Sequence, residues 1–125
     1  MTNRPRRSIV RGEIWLINFD PTIGDEIQKI RPAVVISIRS AYRHTLQIVV
    51  PITSWQQQFS RDFWMIYIEA NVATGLDKES AANAFQVKSV SEDRFVRKLG
   101  AASVEQVNQV TTAIALCIGY APPGA

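Results

Sequence analysis

Arg31, Thr53 and Ser54 are the residues of this 125-residue chain whose types and placement best suit chemistry. Arg31 precedes Pro32, which biases it toward extended backbone, and an apolar run over residues 33–38 follows. Thr53 and Ser54 close a second apolar run over residues 46–52. Each therefore falls at the edge of an expected strand, beside a polar loop, where small folds mount reactive groups on a rigid base. A guanidinium grips a phosphate through its fork and stabilises negative charge that develops there. A hydroxyl donates to a phosphate oxygen or positions another group. Together these are parts for cleaving a phosphodiester. On spacing alone a plainer reading is the stronger one, with Arg31 in a surface ion pair and Thr53-Ser54 closing a turn.

Other chemistries find less support. The chain has one His and one Cys and no acidic cluster at ligand spacing, so no metal site is expected. It has no Gly-rich phosphate loop or dinucleotide fingerprint, and no cofactor is expected. His44 lies alone in a polar connection and reads as an exposed loop residue. Cys117, near the apolar face of the last helix, reads as core packing rather than as a nucleophile.

The elements that must hold Arg31 and Thr53 are short strands followed by helices. Residues 14–19 form an apolar, β-branched and aromatic run that predicts a buried strand. Asp20-Pro21-Thr22-Ile23-Gly24 is turn chemistry. Strands are predicted at 33–38, 46–52 and 63–68, a turn around Gly75, and a last strand over 82–90. Ser91 is placed to cap a helix with acids in its first turn, Arg97 and Lys98 near its end, and Gly100 beyond. A final amphipathic helix opens with the capping-box pair Ser103 and Gln106. Val104, Val107, Val110, Ile114 and Ile118 lie along its apolar face. The order predicts an α+β domain built on a small, mainly antiparallel barrel or curled sheet.

Size and charge narrow the class. A chain of this length buries roughly two-thirds of its unfolded surface, enough for one domain over residues 11–120 behind a flexible basic tail over residues 1–10. No apolar run approaches the roughly 20 residues that span a bilayer. The arginines near the start are not followed by an apolar h-region, so neither a membrane anchor nor a signal peptide is expected, and the expected location is the cytoplasm. The lone cysteine suits a reducing compartment. Net charge is +3, but four of the 14 basic residues fall within the first eleven positions, and the remaining ten face eleven acids. The body is near neutral. The basic tail suits phosphate contact or a solvated end equally.

The chain resembles the MazF/PemK family of toxin endoribonucleases in an ordered set of motifs. These are Arg11-Gly12-Glu13-Ile14-Trp15, then Asp20-Pro21-Thr22 with Gly24 and Glu26, then Arg31-Pro32 with Val34-Val35 and Ser37, then Pro51 with Thr53-Ser54. Weaker similarity continues through Thr74-Gly75-Leu76, Gln86-Val87-Lys88-Ser89-Val90, Arg94 and Gly100. The resemblance implies an SH3-like barrel with added helices, working as a homodimer. It implies metal-independent, sequence-specific cleavage of single-stranded RNA such as messenger RNA, with Arg31 and Thr53 catalytic and Ser54 and Glu26 in support. The ribose 2′-OH would be the nucleophile, which accounts for choice of RNA over DNA. It also implies a cognate antitoxin whose disordered segment wraps the dimer and blocks the RNA channel.

RNA contacts are expected from the loops. Thr22 and Lys29 lie in the first, and Trp55, Gln56, Gln57, Phe59 and Arg61 in the second. Gln86 and Lys88 lie in the expected last strand. Trp55 and Phe59 offer stacking surface for unpaired bases, although Trp55 equally suits a cap on the core. The chain departs from the family pattern at Phe85, where an acid is usual. Asn83 stands where some members carry a basic residue, and Lys88 where an Arg is usual. Two rival readings follow: a toxin of the same fold that binds a protein target such as DNA gyrase, and a catalytically decayed RNA-binding homologue.

Overall fold

The structure, a computed structural model, describes residues 8–19, 29–38, 45–121 and 124. Seven strands and one helix follow one another: β1 (Glu13–Asn18), β2 (Ile30–Val35), β3 (Leu46–Ser54), β4 (Met65–Ile68), β5 (Ser80–Asn83), β6 (Lys88–Ser91), β7 (Phe95–Ala101) and α1 (Val104–Cys117). All pairings are antiparallel. The ladder runs β4-β5-β3-β2-β1-β7, with β6 paired to the first half of β3. Among the described residues no ladder joins β7 to β4 or β6, so the sheet curls without closing.

β3 is the hinge of this architecture. Its first residues pair with β6, its middle with β2, and Ile52, Thr53 and Ser54 with β5. Alternation along the strands sends side chains to two cores. Ile17, Ala33, Val35, Val49, Val90 and Phe95 fill one, joined by Ile9. Ile14, Val34, Val50, Ile52, Ile68 and Ala82 fill the other, which Val110 of α1 covers. Runs such as Ala33-Val34-Val35 lack polar alternation because both faces are buried.

α1 begins at the expected capping box: the Ser103 hydroxyl accepts from the Gln106 amide, and the Gln106 side chain accepts from the Ser103 amide. Such a cap contributes about 1 kcal/mol. Its buried residues are Val107, Val110 and Ala113. Val104 and Ile118, expected on the same face, are 79% and 74% exposed, Val104 at the first position of the helix and Ile118 at its C-cap. Cys117 is half-buried, and burial pushes its thiol pKa up, against a nucleophile.

Two expected elements differ. The helix read from Ser91 onward lasts a single 3-10 turn, Glu92–Arg94, which the Ser91 side chain caps by accepting from the Asp93 amide. The chain then extends as β7, because the open edge of β1 accepts a ladder of backbone hydrogen bonds and Phe95 drops into the core. The expected strand over 82–90 is split by a 3-10 turn, Ala84–Gln86, where the chain passes from β4 to the far end of β3.

Motif residues near Arg11 are structural. The Arg11 guanidinium donates to the Ile36 carbonyl and to the Thr111 hydroxyl, tying α1 to the end of β2. The Glu13 carboxylate accepts from the Val10 amide at 2.9 Å and the Trp15 indole at 3.1 Å, and pairs with Lys98 at 2.8 Å. Partial burial pushes its pKa up, but the bonds from Lys98, Val10 and Trp15 outweigh that, and the net shift is downward. The unfolded value is about 4.3. A depressed folded pKa adds stability that is fully present above the unfolded value and is lost as pH falls through the folded one. Glu13→Gln is therefore expected to lower stability by about 1 kcal/mol at neutral pH. The gap between variant and wild type in thermal melts should close as pH drops below about 4. A gap that widened in acid would contradict this assignment.

Candidate functional site

The site exists because two prolines end a ladder. β2 pairs with β3 as far as Ala33 opposite Pro51. Pro32 and Pro51 lack the N–H that would carry the ladder further, and β3 turns to β5 at Ile52. Carried on by two residues, the same register sets Arg31 opposite Thr53. Strand alternation aims both toward the face of Ala33, Val35 and Val49, at the rim of that core. β1 braces Arg31 through its pairing with Ile17, and β5 braces Thr53 through Ala81.

Arg31 and Thr53 stand on the divide between two clefts and line both. The larger, about 660 Å³, adds Ser54, Asp77, Lys78 and Ser80, with Arg97 from β7. Three cations against one carboxylate give it a net positive lining of the kind that suits a phosphate. The smaller, about 210 Å³, adds Phe59, Trp64, Asn83 and Gln86. Its walls are aromatic rings and side-chain amides. A third groove of about 820 Å³ between α1 and β4 is mostly apolar, with Glu105 as its charged lining residue, and so offers nothing to stabilise phosphate charge.

The structure brings only some of the expected site residues together. Arg31, Thr53, Ser54, Phe59 and Gln86 line one or both clefts. Trp55 is half-buried and packs edge-on against Phe59 at 5.8 Å and Tyr67 at 5.3 Å. It thus holds Phe59 toward the small cleft. Tyr67 in turn donates to the Glu79 carboxylate at 2.6 Å, a bond that pushes the phenol up to about 12 and, with the Ala70 amide, holds Glu79 down. Gln56, Gln57 and Arg61 are exposed in or beside the 3-10 turn Gln57–Arg61, and Lys29 is exposed just before β2. The Lys88 ammonium lies 5.0 Å from the Phe19 ring centroid and does not line either cleft. Thr22, Glu26 and His44 lie outside the described residues. Among the described residues no group of three or more His, Cys, Asp or Glu is arranged to hold a metal, and no helix is long and apolar enough to cross a membrane.

Sequence reasoning missed Trp64, Asp77, Lys78 and Arg97, and it weighed Asn83 only as a departure. Arg97 was hidden by the mistaken helix. Once 95–101 is a strand beside β1, Arg97 falls opposite Leu16, close to Arg31 opposite Ile17. Asp77 and Lys78 follow Gly75 in a segment without periodicity, and no local signal marks them.

The model of the PemK-like, MazF-like toxins of type II toxin-antitoxin systems matches residues 10–118. Endoribonuclease MazF9 of Mycobacterium tuberculosis is 31% identical over 112 residues, covering 85% of this chain and 92% of that protein. Endoribonuclease PemK of Escherichia coli is 44% identical over 52 residues, 41% of this chain and 39% of PemK. In a crystal structure of MazE-MazF from Deinococcus radiodurans, one chain is similar in fold, with a TM-score of 0.74 and 22% identity, over 90% of this chain and 97% of that one.

Proposed function

Because the chain belongs to the family of PemK-like, MazF-like toxins of type II toxin-antitoxin systems, we propose that Arg31 and Thr53 are the catalytic pair with which it cuts single-stranded RNA. The broad activity follows from the family and its relatives: the chain is a toxin that cleaves RNA. One observation carries the finer reading. Arg31 and Thr53, set opposite each other by the β2–β3 register, both line the two clefts, one cationic and one aromatic. That arrangement suits a phosphodiester at the divide better than the surface of a protein-binding relative.

In this mechanism the ribose 2′-oxygen attacks the adjacent phosphorus. The bond from phosphorus to the 5′-oxygen breaks, leaving a 2′,3′-cyclic phosphate and a free 5′-hydroxyl. The 2′-hydroxyl proton passes to solvent, and the departing oxygen takes one up. Arg31 stabilises the phosphorane charge through its fork, and the Thr53 hydroxyl donates to a phosphate oxygen. Because the nucleophile belongs to the substrate, the step calls for no metal, and DNA, lacking the 2′-OH, is not cut. Ser54 supports Thr53 at the same strand end.

The same reading has the curled sheet as an SH3-like barrel working as a homodimer in the cytoplasm. Its cognate antitoxin covers the RNA channel with a segment that orders on binding, a partnership supported by the MazE-MazF complex of similar fold. The test is incubation of the purified protein with a long single-stranded RNA in EDTA, with cut ends mapped by primer extension. Cuts at a short recurring motif are expected. A folded protein that leaves the RNA intact overturns the reading.

A further inference from the structure

A scissile phosphate at the divide leaves the next phosphate along the RNA to be placed. The smaller cleft has little to hold it. Its walls are rings, with Trp64 braced by Phe63 at 5.2 Å and by Phe85 at 5.3 Å, and Arg31 is its charged lining residue. The larger cleft is built the other way. Leu16 pairs with Pro32 on one side and with Arg97 on the other, so these three side chains form a row on one face of the sheet. Beyond the gap where the β2–β3 ladder ends, Ser54 and Ser80 pair across β3 and β5 and line the same cleft. The backbone of Gly75 is pressed against Leu99 of β7, and the segment that follows it brings Asp77 and Lys78 to the lining.

The charges gathered here are unpaired. Among the described residues, Arg31, Lys78, Arg97 and Asp77 make no ion pair and no side-chain hydrogen bond. Lys98, the next residue after Arg97, is by contrast paired with Glu13 at 2.8 Å. Three cations around one cleft repel one another, and an anion between them relieves that repulsion. The segment that carries Lys78 is fixed, because the buried Ser80 hydroxyl donates to the Lys78 carbonyl at 2.8 Å. Arg31 and Arg97 flank β1, opposite Ile17 and Leu16. Two strand spacings put their backbones about 10 Å apart, near enough for two long side chains to serve neighbouring phosphates.

The geometry points to a second phosphate subsite: the phosphate next to the scissile one lies in the larger cleft, gripped by Arg97 and Lys78, with the Ser54 hydroxyl as a further donor. The inference rests on the catalytic reading of Arg31 and Thr53 and deepens it. Arg31 serves the phosphate at which the chain is cut, and Arg97 the one beside it. A phosphate contact positions the RNA without reading sequence, so Arg97 sets affinity and not the cleavage motif. Asp77 opposes the bound phosphate and moderates the grip.

The test is steady-state cleavage of one defined RNA over a range of salt. It is repeated with a neutral methylphosphonate, on a 2′-deoxy nucleotide, replacing one phosphate at a time beside the cut. Arg97→Gln should raise KM about tenfold and leave kcat within about twofold, because the contact is the same in the ground and transition states. The slope of log kcat/KM against log salt should fall in magnitude by about 0.7, the loss of one phosphate contact to a single strand. Arg97→Lys should keep most of that slope, and Asp77→Asn should lower KM. One methylphosphonate should weaken wild type about tenfold and Arg97→Gln hardly at all. Arg97 is exposed, so the variant should melt with wild type. An unchanged KM and slope in Arg97→Gln overturn the proposal, as does a fall in kcat with KM unchanged. Methylphosphonate losses that are equal in the two proteins at every position also overturn it. If wild type cuts nothing, the catalytic reading fails, and binding of a 2′-deoxy oligonucleotide judges the subsite separately. A salt slope smaller by about 0.7 in Arg97→Gln supports the subsite, and equal slopes overturn it.

Discussion

Arg31→Ala and Thr53→Ala should each lower the rate of RNA cleavage by about 10²–10³-fold, or about 3–4 kcal/mol of transition-state stabilisation. The size follows from position. Each side chain stands on a strand still paired on its outer flank, Arg31 through Ile17 and Thr53 through Ala81, and faces the gap where the β2–β3 ladder has ended. Donors held this way need little reorganisation when charge develops. Arg31 is exposed, so its removal should change stability by no more than about 0.5 kcal/mol. Loss of the β-branched Thr53 should cost up to about 1 kcal/mol. Neither cost explains a hundredfold loss of rate. Arg31→Lys retains charge but not the fork and should recover only part of the rate. Thr53→Ser retains the hydroxyl and should stay within about tenfold of wild type, whereas Thr53→Val should match Thr53→Ala. The double variant should fall little below the weaker single one, since the two groups act on one phosphate. Single-turnover cleavage of one defined RNA measures all six variants. Wild-type rates in Arg31→Ala would remove the guanidinium from the mechanism.

How far the sequence carried the fold depended on where each signal was local. The Ser103 and Gln106 capping box involves four consecutive residues, and α1 begins where it predicts. Apolar runs around Val34, Val50 and Ile66 announced β2, β3 and β4, with bounds shifted by a few residues. The strand at 95–101 was illegible because its cause is not local. Ser91 does cap a turn, but the free edge of β1 takes the chain from there, and a pairing partner 80 residues away leaves no trace in a local window. The same held for the site. Arg31-Pro32 and Pro51 with Thr53 were visible as motifs. That their prolines end one ladder and open a gap between Arg31 and Thr53 appears only once β2 and β3 are paired. Phe85 read as a missing acid; in the fold it is one of three packed rings. A single sequence shows which residue is absent from a pattern more readily than what its replacement touches.

Gly75→Ala and Gly100→Ala should be among the most destabilising single substitutions in the chain, because the two glycines let backbone meet backbone. A Cβ on Gly75 would lie 2.0 Å from the Leu99 carbonyl oxygen, and Gly75 has φ +71°, where L residues are strained. A Cβ on Gly100 would lie 2.3 Å from the Ala73 oxygen and 2.5 Å from the Thr74 carbonyl carbon. Neither obstacle can rotate aside as a side chain does. The turn that must move is tightly held: buried Thr74 donates from its hydroxyl to the Glu69 carbonyl at 2.9 Å, and its amide donates to the Asn71 Oδ1 at 2.9 Å. The Ala101 amide then fastens β7 to the Ala73 carbonyl at 2.8 Å. Each variant should lose about 3 kcal/mol or more, lowering the melting temperature by about 10 °C. Gly119→Ala is the internal control. Gly119 has φ +79° with nothing within 4 Å of an added Cβ, so it carries the conformational cost of about 1–2 kcal/mol without the clash. The turn also leads into Leu76, Asp77 and Lys78, while β7 supplies Arg97 and Leu99, so the two elements are facing walls of the larger cleft. Prying them apart should weaken RNA cleavage even at temperatures where the variants remain folded and Arg31 and Thr53 are intact. Melting temperatures no lower than that of Gly119→Ala would show that the turn and β7 do not meet as closely as the backbone contacts require.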